Sequence, residues 1–314
     1  MNGPQADLVS VIMPCYNARP FLEEAVQSVM NQSDPRVELI LVDDGSDDGS
    51  RDLAAELAAR WPGRIRVLHQ ERRGPYVARN LGLAEARGGL IAFLDADDWW
   101  SPDFVAKMRA ALDQHPEAGL AYCGWQNVGL PGGRGAPHVP PDYEAEGKLD
   151  RFLRAASPWP IHAALVRRAV IEAAGGFGTW LPTCMDYDLW LRIGLAHPIV
   201  RVPEVLAFYR HHDRGQIVST QWRQARNVWL VKKRFVREHP ERVAGLDARR
   251  LRDHIDGALL RRGYDNYWRR DLVSAQRIFR QVLRTRAWGL KDLRYLLPAL
   301  LPQRLYQRLI RLAD

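Results

Sequence analysis

The chain has 314 residues, of which 46% are apolar and 26% charged, so it has the length and composition of a globular protein with one large domain and an appendage. Its three scattered cysteines, Cys15, Cys123 and Cys184, form neither a metal-ligand spacing nor a disulfide framework, and they read as reduced thiols of a cytosolic protein. The charge is uneven: residues 1–220 hold 22 Lys and Arg against 28 Asp and Glu, whereas residues 221–314 hold 23 against 9, a basic tail that favours anionic partners.

The first hundred residues alternate between two periods. LVSVIM (8–13), ELILVD (38–43), IRVLH (65–69) and LIAFL (90–94) are short apolar runs that predict buried strands. Between them, helical spacing covers 21–32, a segment opening at Ser50, and 75–86. Ser101-Pro102-Asp103 predicts a further helix start. Strand and helix in alternation predict an α/β fold, a mostly parallel sheet with helices on both faces. The Gly- and Pro-rich stretch 129–147 reads as a loop, followed by a helix at 148–155, a strand near 161–166, a helix at 167–174 and another at 187–196. From about residue 221 the texture is helical and Arg-rich, which divides the chain into a domain at 1–220 and a helical C-terminal region at 221–314.

Open parallel sheets hold ligands at the carboxyl ends of their strands. Polar groups cluster there in this sequence: Pro14-Cys15-Tyr16-Asn17 after the first strand, Asp43-Asp44-Gly45-Ser46 after the second, and Asp95-Ala96-Asp97-Asp98 after the fourth. Strand alternation would turn Asp95 and Asp97 to one side, where two carboxylates suit a hard divalent cation.

VSVIMPCYNARPFLEEAVQSVMNQ, ELILVDDGSDDGS, GPYVARNLGLAEARGGLIAFLDADDWW and MDYDLWLRI, in that order, resemble a family 2 glycosyltransferase of bacterial polysaccharide type with the GT-A fold, across roughly residues 8–220. The resemblance implies an inverting transferase that uses Mn²⁺ or Mg²⁺ and moves a sugar from a nucleotide-sugar, most often a UDP-sugar, to a hydroxyl of a glycan or lipid-linked glycan. It implies that Pro14, Tyr16 and Asn17 line the base pocket and that Asp44 binds the base. The segment Arg72 to Arg79, with Gly74 and Asn80, would face ribose and diphosphate, Asp95 would reach the ribose or the metal, and Ala96 would also lie at the donor. Asp97 and His212 would meet the metal, and Asp186 would be the general base. The base aspartate is commonly preceded by Glu in the family; here Met185 stands in that place. Trp159, Phe177 and Trp180 are candidates for stacking on acceptor sugars, and His162 reads as structural.

The tail ends in LPALLPQRLYQRLIRLAD, with Leu301, Leu305, Leu309 and Leu312 at helical spacing beside Arg304, Arg308 and Arg311. Such a helix either lies in a membrane interface or packs its leucines on its own protein. The N-terminus shows no signal peptide, and no apolar stretch approaches the ~20 residues that span a bilayer. The sequence therefore points to the cytosolic side, with a possible peripheral contact at the inner membrane face. A nucleotidyltransferase would need a Gly-rich phosphate loop after the first strand, which Pro14-Cys15-Tyr16-Asn17 is not. A non-catalytic nucleotide-sugar-binding or glycan-binding subunit is the other reading, raised by Met185. No nucleic-acid recognition motif is present.

Overall fold

The computed structural model describes residues 5–130, 132–155, 157–212 and 220–312. Two compact units result: Met1–Lys148 with Ser157–Arg214, and Leu149–Ala156 with Gly215–Asp314. A linear cut at 220/221 leaves Leu149–Ala156 in the first domain; in the structure this segment packs with the second.

In the first unit, β1 (Gln5–Cys15), β2 (Val37–Asp43), β3 (Ile65–His69) and β4 (Gly88–Phe93) are the four strands expected from apolar runs. They are mutually parallel: β1 pairs with β2 and β4, and β2 with β3. Every residue of β2 is buried, which requires cover on both faces and explains a run without polar alternation. Helices α1 (Arg19–Met30), α2 (Ser50–Arg60) and α3 (Pro75–Glu85) connect them.

Beyond β4 the sheet becomes mixed. β5 is Trp99–Trp100, β6 Leu120–Val128, β7 Pro137–His138, β8 Ala164–Arg167 and β9 Ile199–Arg210. The order is β3-β2-β1-β4-β8-β6-β9-β5, with β7 added on β6. β8 runs antiparallel to β4 and β6, β9 parallel to β6, and β5 antiparallel to β9.

The sequence reading predicts neither β6 nor β9, and the reason is a bulge. Cys123 pairs with Val202 but Gly124 with Val205, so Pro203 falls where the ladder is broken and its missing N–H costs nothing. Gly124 makes the bulge possible: a Cβ there would lie 2.7 Å from the His138 carbonyl oxygen and 2.9 Å from that of Glu204.

Helices α4 (Phe104–Gln114), α5 (Lys148–Arg154), α6 (Arg168–Ala173) and α7 (Met185–Gly194) complete the chain through Gly194. The first turn of α4 is not capped by Ser101. The helix opens at Phe104, and Gln32 Oε1 accepts from the Val105 N–H at 2.8 Å.

The second unit is helical: α8 (Gln221–Glu238), α9 (Pro240–Val243), α10 (Ala248–Arg252), α11 (Ala258–Trp268), α12 (Leu272–Val282), α13 (Leu293–Leu296) and α14 (Gln303–Leu312). Ala275, Phe279, Val282, Leu296 and Tyr306 are fully buried in its core. From α14 it is Tyr306 and Ile310 that pack inward; Leu305, Leu309 and Leu312 are exposed. Among the described residues no helix is long and apolar enough to cross a membrane.

Candidate active site

Register aligns the carboxyl ends of the parallel strands. Pro14 lies opposite Val42, Cys15 opposite Asp43, Asp43 opposite His69, and Ile12 opposite Phe93. Residues 16–17, 44–46, 70–74 and 94–98 therefore leave the sheet along one edge.

Asp44 is buried, and its carboxylate organises this edge. Oδ1 accepts from Gln70 Nε2 at 2.6 Å and from the Arg73 N–H at 2.7 Å, while Oδ2 accepts from the Gly74 N–H at 2.8 Å. These bonds use three of about four lone-pair positions, so Asp44 has one left for a ligand. Gly45, at φ 78°, lets the loop approach closely, since a Cβ would sit 3.0 Å from the Arg72 nitrogen. The Arg72 guanidinium covers the exposed Tyr16 ring at 4.1 Å. Asn17 adopts a left-handed φ of 50°. Its amide staples two loops, donating to Asp47 Oδ1 at 2.7 Å and accepting from the Asp47 N–H at 3.0 Å. Pro14 is buried within β1.

The acidic segment does not continue the strand. β4 ends at Phe93, and the Asp98 N–H closes a turn on the Asp95 carbonyl at 3.1 Å. Strand alternation therefore does not orient Asp95 and Asp97, and each is held by its own partner. Asp95 pairs with the buried Arg79 of α3. Asp97 Oδ2 meets His212 Nε2 at 3.0 Å across 115 residues of sequence, and the His212 ring stacks on Phe21 at 4.6 Å. Asp98, beneath them, faces the fully buried His162 at 3.0 Å and accepts from the Arg210 N–H at 2.8 Å. Arg210 Nε also donates to the Asp97 carbonyl at 3.0 Å. Ala96, buried, lies in the turn between the two aspartates.

Asp186 is the second residue of α7. Burial raises its carboxyl above the ordinary carboxylate range; the Tyr187 N–H and the Arg79 charge oppose the rise, and Asp95 adds to it. Arg79 thus lies in the field of both Asp95 and Asp186. Tyr209 on β9 is raised by burial and then by the charges of Asp98, Asp95, Asp97 and Asp186. Asp95, Asp97, Asp98 and Asp186 thus act electrostatically on a common neighbour, Tyr209, and Asp95 and Asp186 also on Arg79.

The Asp97 carboxyl is pushed up to about 6 by burial and by Asp98 and Asp95, against the His212 contact. Negative charge concentrated at the half-buried Asp95 and Asp97 and the buried Asp98, with a carboxylate oxygen and an imidazole nitrogen at one point, is chemistry that fits a hard divalent cation. Asp97 and His212 would supply two ligands. Among the described residues no three His, Cys, Asp or Glu side chains gather as a metal-holding set, so substrate oxygens would have to supply the others.

Several expectations gain structural detail. The Asn80 amide is engaged within the protein: Nδ2 donates to the Phe177 carbonyl at 2.8 Å and Oδ1 accepts from the Phe177 N–H at 2.9 Å, a clamp on the segment before α7. Trp159 is fully buried and stacks on Tyr122 at 4.3 Å; Phe177 is buried against Phe93. Only Trp180 of the three proposed stacking aromatics has an exposed face. Tyr76, inside the Arg72–Arg79 segment and in the first turn of α3, stacks on Phe177 and lies in the field of Asp186.

Residues 10–173 match the family described as glycosyl transferase family 2. The chain belongs to that family. This glycosyltransferase is 32% identical over 243 residues to the putative teichuronic acid biosynthesis glycosyltransferase TuaG of Bacillus subtilis, covering 74% of this chain and 90% of TuaG. It is 37% identical over 144 residues to the uncharacterized glycosyltransferase EpsJ of the same organism, covering 46% of this chain and 40% of EpsJ. Among solved structures it resembles S. aureus TarS 1–349 in complex with UDP-GlcNAc, with a TM-score of 0.66 at 18% identity over 97% of this chain and 90% of that one. It also resembles the mannosyltransferase PcManGT of Pyrobaculum calidifontis in complex with GDP-Man and Mn²⁺, with a TM-score of 0.61 at 22% identity over 99% and 86%. At these identities the structural likeness establishes the fold, which is of GT-A type.

Proposed function

We propose that this glycosyltransferase moves a sugar, with inversion, from a UDP-sugar to a hydroxyl of a glycan or lipid-linked glycan in cell-surface polysaccharide synthesis. What supports the reading is that Arg79, ion-paired with Asp95, also lies in the field of Asp186, while Tyr209 feels the Asp95–Asp98 turn and Asp186 alike. TuaG's name and the UDP-GlcNAc complex of TarS support the substrate class.

Asp186 takes the acceptor hydroxyl proton as it attacks the anomeric carbon. Its raised carboxyl makes it a stronger base than an exposed aspartate, while the Arg79 charge favours its ionised form. A single base opposite the leaving group gives direct displacement. Asp97 and His212 would hold Mn²⁺ or Mg²⁺, which when bound neutralises diphosphate charge. The Asp44-braced loop offers Tyr16 and Arg72 as a stacked wall for the base, with the Gly74 end of the loop, Arg79, Asp95 and Ala96 toward ribose and diphosphate. Asn17 and Pro14 hold that wall in shape. The first unit carries the chemistry. The three cysteines are buried thiols outside any disulfide, which suits a reducing compartment.

The test is Asp186→Asn. Transfer should fall by about 10²–10⁴-fold while UDP-sugar affinity stays near that of the parent. Near-parental turnover by the variant would end the assignment.

A further inference from the structure

The last helices of the second unit present leucines that the fold does not bury. Leu297 is 54% exposed, Leu300 60%, Leu305 53%, Leu309 44% and Leu312 76%, with Leu301 at 37%. Apart from Leu290 and Trp268, they are the exposed large apolar side chains among the described residues of this unit. A folded protein that leaves so many leucines together on one short stretch has a use for them.

Three features of α14 say what that use is. At 100° per residue its surface divides into sectors. Tyr306 and Ile310 form one and are buried in the unit's core. Leu305, Leu309 and Leu312 form the next, beside the buried sector. Arg304, Arg308 and Arg311 form the third, on the far side of the leucines, all exposed. The platform is also built rather than frayed. Gln276 Nε2 donates to the carbonyls of Ala299 and Leu301 at 3.1 and 2.7 Å, and the Arg280 guanidinium donates to the same two at 2.6 Å each. The turn carrying Leu300 and Leu301 is thereby tied to α12. Finally, residues 293–312 contain Arg294, Arg304, Arg308 and Arg311 and no Asp or Glu.

We infer that this face docks on an anionic lipid surface, with the leucines entering the acyl boundary and the arginine row reaching the headgroups. The charge pattern selects this occupant over a second copy of the chain: two such faces in contact would bring like-charged arginine rows together. The inference stands apart from the catalytic assignment, because it uses only the second unit.

Co-sedimentation of the full chain with vesicles tests it. Vesicles of phosphatidylcholine with a third phosphatidylglycerol should bind at least about tenfold better than phosphatidylcholine alone, and added salt should weaken the binding. Replacing Arg304, Arg308 and Arg311 with Gln should lower anionic partition by about a hundredfold, at roughly a factor of five per arginine. Leu305→Glu with Leu309→Glu should abolish it. These side chains are exposed, so melting should be unchanged, and the milder Leu305→Ser with Leu309→Ser should show a smaller loss in the same direction. UDP binding, measured on the same variants, should not move. Absence of vesicle binding, or binding indifferent to the leucine changes, overturns the inference. So does a lipid-free dimer in sedimentation velocity that the leucine variants dissolve, which would give the face to a second copy.

Discussion

Asn80→Ala separates two accounts of one residue. Family resemblance sends Asn80 to the donor, whereas the structure spends both of its amide groups on Phe177. The alanine variant deletes two hydrogen bonds, each worth about 1 kcal/mol net, and strands the N–H and C=O of a buried residue; together the expected loss is about 2 to 4 kcal/mol. The clamped segment leads into α7 and Asp186, so turnover should fall as well. Denaturant unfolding and calorimetric UDP titration of the same preparation are the assay. The clamp predicts a stability loss of that size with UDP affinity within a few-fold of the parent. Asn80→Asp should be as harmful, because a carboxylate would face the Phe177 carbonyl. An alanine variant within about 0.5 kcal/mol of the parent but binding UDP tenfold more weakly would refute the clamp and restore the donor contact.

The other predictions concern the base, the ion and two structural positions. If Asp186 is the base, kcat/KM falls on the acid side through a limb above the ordinary carboxylate range, and Asp186→Asn removes that limb from the residual activity. Excess EDTA should stop transfer, and Mn²⁺ or Mg²⁺ should restore it; Asp97→Ala should weaken metal-dependent donor binding, and full turnover in EDTA would contradict the role given to Asp97 and His212. Burial lowers the Lys232 amine in the second unit from 10.5 to about 7, with Arg261 and Arg262 adding to the drop. Above about pH 7 the folded state releases this proton before the unfolded state does, so stability climbs with pH by up to about 1.4 kcal/mol per pH unit until the unfolded amine also titrates. Lys232→Met should flatten that climb and raise the melting temperature at pH 7 and below; an unchanged slope would contradict it. Gly124→Val should cost about 1–3 kcal/mol by driving a side chain into the β7 and β9 carbonyls, read as a lower melting temperature.

The sequence is most legible where structure is local. β1 to β4 are apolar runs of the length a covered parallel sheet requires, and their register brings three polar clusters to one edge. β6 and β9 are obscured because their pairing depends on a bulge: Pro203 reads as a strand breaker until Gly124, far away in sequence, is seen to accommodate it. The site shows the same divide. Asp97 and His212 are visible separately, but no local pattern announces a contact across 115 residues. Asn17 and Asn80 resemble ligand groups because polar side chains near a strand end invite that reading. Their partners within the protein, Asp47 and the Phe177 backbone, lie 30 and 97 positions away. The tail was legible as amphipathic, yet only packing reveals that Tyr306 and Ile310, rather than the leucines, take the inner face.

The proposed chemistry requires one pocket to hold the metal-side aspartates and the base. Crystals grown with UDP and Mn²⁺ test it through anomalous scattering at the manganese edge. The account predicts a single strong peak within coordinating distance of Asp97 and His212, bridged to the diphosphate, with the Asp186 carboxylate facing the same cavity. A manganese ion bound elsewhere, or an Asp186 side chain opening into a different cleft from the diphosphate, would contradict it.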